Sequence, residues 1–259
     1  MPTALVTGAS RGVGRGVAIS LAESGFQVFA TGRTVETADL PSAVIRIPCD
    51  HLDDQQTATA FDRVRAHGAG LDILVNSAWG GYERMVEDSR FTWPAPFWEQ
   101  PMHRWTSMMD AGVRAAFVAG AHAARLMVPE RRGLIVNISF WAARRYIGNA
   151  LYGVAKAATD KLAADMAREL RPHGVSALSL YPGLVRTESV LRAAKEGWFD
   201  LSNSESPEFI GRVIAALYRD RNLPERSGQV LIAAQVAIEL GVQDIDGSQP
   251  EPLTLDRAN

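Results

Sequence analysis

Short apolar runs alternate with longer helical patterns along the chain, and this alternation limits the folds open to it. Seven runs rich in β-branched residues predict strands: TALVT, FQVFAT, AVIRI, LDILVN, GLIVNIS, VSALSLY and SGQVLIA. Four stretches between them predict helices: GVGRGVAISLAESG, DDQQTATAFDRVRAHG, PMHRWTSMMDAGVRAAFVAGAHAARLMV and LYGVAKAATDKLAADMARELRPHG. The alternation predicts an α/β fold, a doubly wound parallel sheet of seven strands with helices on both faces.

Length and hydrophobic content favour one domain. The 259 residues, 47% of them hydrophobic, can bury a large core, so residues 1–259 are predicted to form a single domain. Two aromatic segments, 79–101 and 184–208, interrupt the alternation. Insertions after strand ends bind ligands in doubly wound sheets, so both are predicted to be substrate loops. Packing under long loops or a subunit contact would also explain their aromatic residues.

Charge and cysteine content exclude several classes of partner. With 27 basic and 29 acidic residues the net charge is −2, so we expect no nucleic acid and no anionic membrane as partner. The single cysteine, Cys49, cannot form an intrachain disulfide and suits a reducing cytosol. We see no signal peptide and no apolar span of about 20 residues, so we predict a soluble cytoplasmic protein. The five histidines lack metal-ligand spacing, and no metal site is predicted.

A glycine-rich turn follows the first predicted strand. In VTGASRGVGRGVA, Gly8, Gly12 and Gly14 stand just before an amphipathic helix. Glycines there permit a tight turn and a close approach of backbone N–H groups to a pyrophosphate at the positive end of the helix dipole. A P-loop is excluded because no Gly-Lys-Ser/Thr follows. The pattern predicts a Rossmann-type dinucleotide site, and an ordinary glycine-rich βα turn is the alternative.

The end of the second strand, FATGRT, concerns the choice of cofactor. An NAD site normally places an acidic residue here for the ribose 2′-hydroxyl, whereas a 2′-phosphate favours a guanidinium. Arg33 stands in that place and Arg11 in the glycine turn can supply a second cation, so NADP(H) is predicted over NAD(H). A solvated surface charge is the alternative for Arg33. Asp50, after the third strand, is placed either to accept from the adenine amine or to cap the next helix.

A tyrosine and a lysine share a helical face further along the chain. The chain has five tyrosines and only three lysines, yet Tyr152 and Lys156 lie at i and i+4, about one helical turn apart. A neighbouring ammonium lowers the pKa of a phenol from about 10, which makes the tyrosine usable as a general acid and base. The pair predicts proton-transfer chemistry. An exposed helical pair is the alternative.

Ser139 ends the strand GLIVNIS, thirteen residues before Tyr152. Together with the motifs described above, it makes the sequence resemble the short-chain dehydrogenase/reductase family over essentially its whole length. The matching pieces are TGASRGVG at Thr7 to Gly14, VNSA at Val75 to Ala78 in place of the family's NNAG, Ser139, the YxxxK of Tyr152 and Lys156, and YPGLVRTE at Tyr181 to Glu188. The stretches ARLMVPE, YGVAKAATDKLAAD, FWEQP and LGVQDIDG resemble one subgroup of that family.

The resemblance implies a role for each matching residue. Tyr152 would exchange the proton with the substrate oxygen, Lys156 would bind the nicotinamide ribose, and Ser139 would hold the carbonyl. With the glycine turn and the arginines, the predicted cofactor site comprises Gly8, Ser10, Arg11, Gly12, Val13, Gly14, Arg33, Asp50, Asn76, Ala78, Tyr152, Lys156, Pro182, Gly183, Val185 and Thr187. The family also implies a homodimer or homotetramer that pairs long helices, here about 102–128 and 150–171. One departure is Gly112, which aligns with an asparagine of the family's catalytic tetrad.

We therefore expect an NADP(H)-dependent carbonyl reductase or alcohol dehydrogenase that acts on a small molecule. The aromatic loops favour an apolar or aromatic substrate over a small charged one. A first alternative is a 3-oxoacyl thioester reductase of lipid metabolism, with an acidic carrier held by Arg131, Arg132, Arg144 and Arg145. A second is a catalytically quiet NADP(H)-binding sensor, which Gly112 supports and the retained Ser139, Tyr152 and Lys156 oppose.

Overall fold

The computed structural model describes residues 1–68, 70–88 and 90–256. Its strands, in chain order, are β1 (Thr3–Val6), β2 (Gln27–Gly32), β3 (Ile45–Pro48), β4 (Ile73–Asn76), β5 (Val86–Glu87), β6 (Arg90–Phe91), β7 (Leu134–Ile138), β8 (Ser176–Tyr181), β9 (Leu184–Val185), β10 (Ser204–Glu205) and β11 (Val230–Ile232). Seven of them form one parallel sheet in the order β11-β8-β7-β4-β1-β2-β3. The predicted seven-stranded parallel sheet is confirmed.

The α-helices are α1 (Gly12–Glu23), α2 (Asp54–Ala66), α3 (His103–Trp105), α4 (Ala115–Glu130), α5 (Ala150–Leu170), α6 (Glu188–Lys195), α7 (Pro207–Arg219), α8 (Leu223–Arg226) and α9 (Ala233–Leu240). A π-helix, Thr106–Arg114, joins α3 to α4 without a break. Short 3-10 turns lie at Val35–Thr37, Phe97–Glu99, Trp141–Ala143 and Arg171–His173. In the part of the chain that the structure describes, no helix combines the length and the hydropathy needed to cross a lipid bilayer.

The sheet separates two apolar cores because successive strand residues point to opposite faces. Ala4 and Val6 of β1 belong to a core built with α1, α7 and α9, whereas Leu5 between them belongs to a core built with α2, α4 and α5. All three side chains are completely buried. The predicted arrangement with helices on both faces is confirmed, and it explains why the strands are almost continuously apolar.

Helix α7 was absent from the sequence-based prediction, although its buried residues repeat with helical spacing. It packs closely on α1, and two glycines permit this approach. A Cβ on Gly16 would lie 2.3 Å from the carbonyl carbon of Pro207, and one on Gly211 would lie 2.6 Å from Cβ of Ser20. The buried apolar residues of α7 are Phe209, Ile210, Val213, Ile214, Ala215 and Leu217.

Strand order places a ligand crevice at one edge of the sheet. From β1 the chain adds β2 and β3 on one side and then returns to add β4 on the other side. Open α/β sheets bind ligands at such a switch point, beyond the carboxyl ends of the strands. The turns after β1, β4, β7 and β8 all leave that edge. The two aromatic segments follow β4 and β8, and they contain the β5–β6 pair and the β9–β10 pair with α6.

Candidate active site

The glycine turn after β1 lies against the turn after β4. Gly8 has φ +67°, and a Cβ there would lie 2.7 Å from Cα of Ala78 and 2.8 Å from the carbonyl oxygen of Ser77. A Cβ on Gly14 would lie 2.4 Å from the carbonyl oxygen of Gly8. Only glycine fits these two positions without a shift of the backbone. The turn therefore brings backbone close to the crevice at the start of α1.

Thr7 joins the same two turns by hydrogen bonds. Its Oγ1 accepts from the backbone N–H groups of Ser77 and Ala78, each at 3.1 Å. Thr7 is 2% exposed and its two donors are half-buried, so both hydrogen bonds are largely shielded from water. The threonine thus fixes the predicted cofactor residue Ala78 relative to the glycine turn.

A carboxylate lies at the positive end of α1. The N–H of Gly12 donates to both carboxylate oxygens of Glu188, at 3.0 and 3.3 Å, and Nη2 of Arg15 is 3.0 Å from Oε1 of Glu188. The dipole and the free N–H groups of a helix N-terminus favour an anion. The Glu188 carboxylate therefore stands where a phosphate group of a ligand would be favoured.

Two arginines form a second anion position. Nη2 of Arg11 and Nη2 of Arg33 each lie 2.6 Å from the same oxygen, Oε1 of Glu83. The Glu83 carboxylate here stands where another phosphate would fit. A glycine turn with two anion positions fits a phosphorylated dinucleotide.

Two further residues of the predicted cofactor site lie beside the glycine turn. The Ser10 hydroxyl is buried and has no hydrogen-bond partner among the described residues. A Cβ on Gly32, at the end of β2, would lie 2.3 Å from Oγ of Ser10, so the glycine leaves room for this hydroxyl. Val13 is half-buried and packs on the core that contains α1.

Asp50 does not cap the following helix. Its Oδ1 accepts from the backbone N–H of Leu52 at 3.1 Å. Asp53 caps α2 instead, because its side chain accepts from the N–H groups of Gln55 and Gln56. The capping alternative for Asp50 is therefore wrong, and the adenine contact stays a prediction.

Asn76 joins two neighbouring strands at the crevice. Its Nδ2 donates to Oδ1 of Asn137 at 2.8 Å, and the two residues are direct neighbours across β4 and β7. Its Oδ1 is buried without a partner in the described part of the chain. Asn76 therefore connects the strand that leads to Ala78 with the strand that leads to Ser139.

The segment after β8 reaches the glycine turn at Thr187. Pro182 and Val185 are buried, and the N–H of Gly183 donates to Oε1 of Glu205 at 2.8 Å. Thr187 caps α6, where its Oγ1 accepts from the N–H of Val190 at 3.4 Å. Its Cγ2 is 3.5 Å from the position of a Cβ on Gly12. Of the four predicted residues, Thr187 thus contacts the glycine turn, and the other three precede it in the same segment.

Helix α5 presents Tyr152 and Lys156 to the crevice. Asn149 caps the helix by accepting from the N–H of Tyr152 at 3.1 Å, which fixes the first turn. Tyr152 is 3% exposed and Lys156 is 6% exposed, so the alternative of an exposed helical pair is wrong. Nζ of Lys156 donates to the carbonyl oxygen of Ile138 at 3.2 Å and lies 4.2 Å from the ring centroid of Trp79.

Aromatic rings surround the Tyr152 side chain. Its ring centroid lies 5.8 Å from that of Trp79, 6.0 Å from that of Tyr82 and 5.2 Å from that of Trp93. Gly112 leaves the space for one of these rings, since a Cβ there would lie 2.7 Å from Cε3 and Cζ3 of Trp79. The position where the family has an asparagine is therefore filled by an indole from the segment 79–101.

Tyr82, rather than Ser139, is hydrogen-bonded to the Tyr152 hydroxyl. The two phenol oxygens are 2.8 Å apart. The Ser139 hydroxyl is buried and donates to the carbonyl oxygen of Lys156 at 3.3 Å. Sequence reasoning did not single out Tyr82, Glu83 or Glu188. The aromatic composition of 79–101 pointed to the segment that contains Tyr82 and Glu83, but not to these two residues themselves.

Burial shifts the pKa values of the central pair. It raises the pKa of Tyr152 well above the ordinary value of 10.0, because desolvation disfavours the charged phenolate. It lowers the pKa of Lys156 to about 8, against the opposing effect of Asp160. The net shift of the Tyr152 pKa is therefore upward, and desolvation outweighs the lowering expected from Lys156, whose Nζ lies 5.9 Å from the centroid of the phenol ring. Tyr152 is therefore a protonated phenol at neutral pH.

Among the residues that the structure describes, no three or more His, Cys, Asp or Glu side chains come close enough together to hold a metal ion. The central pair is surrounded instead by aromatic rings and the carbonyl of Ile138, and the two anion positions lie at the glycine turn. These groups suit proton transfer beside a phosphorylated dinucleotide.

Comparisons with known proteins identify the family of the chain. A family model for short chain dehydrogenases matches residues 2–196. Dehydrogenase/reductase SDR family member 1 of Mus musculus is 39% identical and that of Homo sapiens 38% identical, each alignment covering 94% of this chain and 83% of the relative. The subgroup resemblance is thus confirmed. The fold matches YwfH, an NADPH dependent reductase involved in bacilysin biosynthesis, with a TM-score of 0.72 and 21% identity over 90% of this chain and 96% of that one. The chain belongs to the short-chain dehydrogenase/reductase family and is an oxidoreductase of that family.

Proposed function

We propose that this protein is an NADP(H)-dependent oxidoreductase that transfers hydride between nicotinamide and the carbonyl or alcohol carbon of an apolar or aromatic substrate. Tyr152 is the general acid and base. The observation that carries the proposal is the buried Tyr152 hydroxyl, which lies among aromatic rings and one helical turn from Lys156. The site lies at the same sheet edge as the glycine turn.

The preference for NADP(H) rests on the two arginines. Arg11 and Arg33 approach a single carboxylate oxygen at 2.6 Å each, so their guanidinium groups are already placed around one anionic group. A 2′-phosphate carries more charge than a carboxylate and offers more acceptor oxygens, so it suits this pair. Gly12 and the start of α1 would hold the pyrophosphate.

The bound cofactor supplies or takes up the hydride. In the direction of reduction, the Tyr152 O–H donates its proton to the substrate oxygen as charge develops there, and the phenol becomes a phenolate. Lys156, whose pKa is about 8, is largely a cation at neutral pH and stabilises that phenolate. The surrounding rings exclude water, which strengthens both interactions. In the direction of oxidation the phenolate takes the proton back.

The substrate class follows from the walls of the site. Trp79, Tyr82 and Trp93 lie around Tyr152, and Trp198 and Phe199 in the segment after β8 are exposed. Apolar walls with a few placed polar groups favour apolar or aromatic ketones, aldehydes and quinones. The family's small-molecule chemistry is consistent with this choice.

The test is NADPH consumption against a panel of apolar and aromatic ketones, aldehydes and quinones. We expect turnover by the wild type, and a loss of about 100-fold or more in Tyr152→Phe with NADPH binding retained, since general acid catalysis contributes about 10²–10⁴-fold. Tyr146→Phe is the matched control, because Tyr146 is 68% exposed. Unchanged turnover in Tyr152→Phe would remove the tyrosine from the mechanism.

The protein is further proposed to act in the cytoplasm as a homodimer or homotetramer. Support comes from exposed apolar side chains on the two long helices, Phe117 on α4 and Val154 on α5, which are 56% and 54% exposed. Such side chains suit helix pairing across a two-fold axis. Light scattering after size exclusion tests the oligomer, and Phe117→Glu is expected to shift it toward the monomer.

A further inference from the structure

The position of Glu83 bears on the choice of cofactor. One of its carboxylate oxygens binds both Arg11 and Arg33, so the cations proposed for the 2′-phosphate already have an anionic partner. The preceding residue, Tyr82, reaches in the other direction to the Tyr152 hydroxyl. Two consecutive side chains of the segment 79–101 thus contact the arginine pair and the phenol.

A carboxylate and a phosphate compete for this arginine pair. Both arginines direct Nη2 to one oxygen of Glu83, so a phosphate held between the two guanidinium groups would meet the like charge of that carboxylate and lose these two donors to it. The pair of cations with Glu83 carries a net charge of +1, and without Glu83 it carries +2. Glu83 therefore opposes the binding of a 2′-phosphate, whereas a cofactor without that phosphate gains nothing from the removal of Glu83.

We propose that Glu83 is a cofactor-selectivity residue, which competes with the 2′-phosphate of NADPH for Arg11 and Arg33 and so lowers the preference for NADPH over NADH. The inference rests on the proposed function, because it assumes that the arginine pair receives that phosphate. Glu83 itself is one-third exposed and can leave the arginines for solvent.

Glu188 provides an internal comparison. It lies at the N–H of Gly12 and beside Arg15, where the pyrophosphate is proposed to bind. Both NADPH and NADH contain a pyrophosphate. Removal of the Glu188 charge therefore affects the two cofactors equally, whereas removal of the Glu83 charge distinguishes them.

The experiment measures the dissociation constants of NADPH and NADH by calorimetry at low ionic strength, for the wild type and three variants. We expect Glu83→Gln to lower the NADPH dissociation constant about 3- to 10-fold, the range for two exposed ion pairs. The NADH dissociation constant should stay within about twofold of the wild-type value. Glu188→Gln is expected to tighten both cofactors by the same factor. Glu87→Gln is the matched control in the same segment, where Glu87 pairs with Arg84 and His103. The Glu87→Gln variant is expected to leave the dissociation constants of both cofactors unchanged.

A double-mutant cycle connects the effect to the arginines. In the Arg11→Gln/Arg33→Gln background, Glu83→Gln is expected to leave the NADPH dissociation constant unchanged. The inference is overturned if Glu83→Gln alone leaves NADPH binding unchanged or weaker, or tightens NADH as much as NADPH. If the proposed preference for NADPH is itself wrong, the experiment gives a different result. The wild type then binds NADPH and NADH equally, and Arg33→Gln changes neither dissociation constant.

Discussion

The hydroxyl oxygens of Tyr82 and Tyr152 lie 2.8 Å apart, although Tyr82 lies in the segment after β4 and Tyr152 in helix α5. Tyr152 is fixed by the first turn of α5, and Tyr82 reaches it from the segment after β4. A phenol donates one hydrogen bond and can accept others. Tyr152 can therefore donate to a substrate oxygen while it accepts from Tyr82.

The first prediction concerns this pair. When Tyr152 gives up its proton, the Tyr82 hydroxyl is placed to donate to the phenolate, and a hydrogen bond to a charged group contributes about 1.5–3 kcal/mol. Tyr82→Phe is therefore expected to lower kcat by about 10- to 100-fold in steady-state assays. The NADPH dissociation constant should stay unchanged. A kcat equal to that of the wild type would show that Tyr82 has no part in the reaction.

The second prediction concerns the glycine turn. Gly8→Ala places a Cβ 2.7 Å from the backbone of Ala78 at φ +67°, so strain and overpacking should together cost about 2–5 kcal/mol of unfolding free energy. Gly25→Ala is the control, because Gly25 has φ +86° and nothing within 4 Å of its Cβ position. We expect the control to cost about 1–2 kcal/mol in urea unfolding. Equal costs for the two variants would contradict the close approach at Gly8.

The third prediction concerns Thr7, whose hydroxyl accepts hydrogen bonds from two partly buried N–H groups. Thr7→Val leaves both donors without a partner at a cost of about 1–3 kcal/mol each, and it should weaken NADPH and NADH binding alike. Thr7→Ser keeps the hydroxyl and should restore most of the affinity and the stability. If valine and serine behave alike in calorimetry and denaturation, the hydroxyl is not what joins the two turns.

The fourth prediction is a pH dependence set by Glu205. Burial raises its pKa to about 7, Asp244 adds to the rise, and the Gly183 N–H and Arg186 oppose it. The folded pKa is above the unfolded value of 4.5, so this carboxyl contributes its full stability below pH 4.5 and loses it as the pH rises to about 7.

Glu205→Gln keeps an acceptor for Gly183 and carries no charge. It should match the wild type near pH 4.5 and be more stable at pH 8 by at most about 3 kcal/mol. Thermal unfolding at both pH values checks this, with the exposed Glu36→Gln as control. A glutamine variant less stable than the wild type at pH 8 would contradict the raised pKa of the buried Glu205.

Local patterns determined how far the sequence could predict the fold and the site. The seven strands were predictable because strands covered on both faces must be apolar throughout, and the YxxxK spacing placed Tyr152 and Lys156 on one helical face. The contacts of Glu83 and Glu188 with the turn after β1 were not predictable. They join residues 72 and 176 positions apart, and the path of the loops decides them.

The charge state of Tyr152 shows the same limit. Sequence spacing places a lysine beside the phenol and so suggests a lowered pKa, but it contains no information about burial. The rings of Trp79 and Trp93 remove water from Tyr152, and this desolvation raises its pKa. Gly112 likewise departs from the family pattern, and only the packed structure shows that the Trp79 indole fills the space it leaves.

The most direct measurement follows the hydride itself. NADPH carrying deuterium at the transferable C4 position is incubated with the best carbonyl compound of the panel, and the alcohol is analysed by mass spectrometry. For the wild type we expect deuterium on the carbinol carbon in proportion to the NADPH consumed, and for Tyr152→Phe a loss of about 100-fold or more in its rate of appearance. Consumption of NADPH without deuterium in the product, or an equal rate in Tyr152→Phe, would contradict hydride transfer with Tyr152 as the acid.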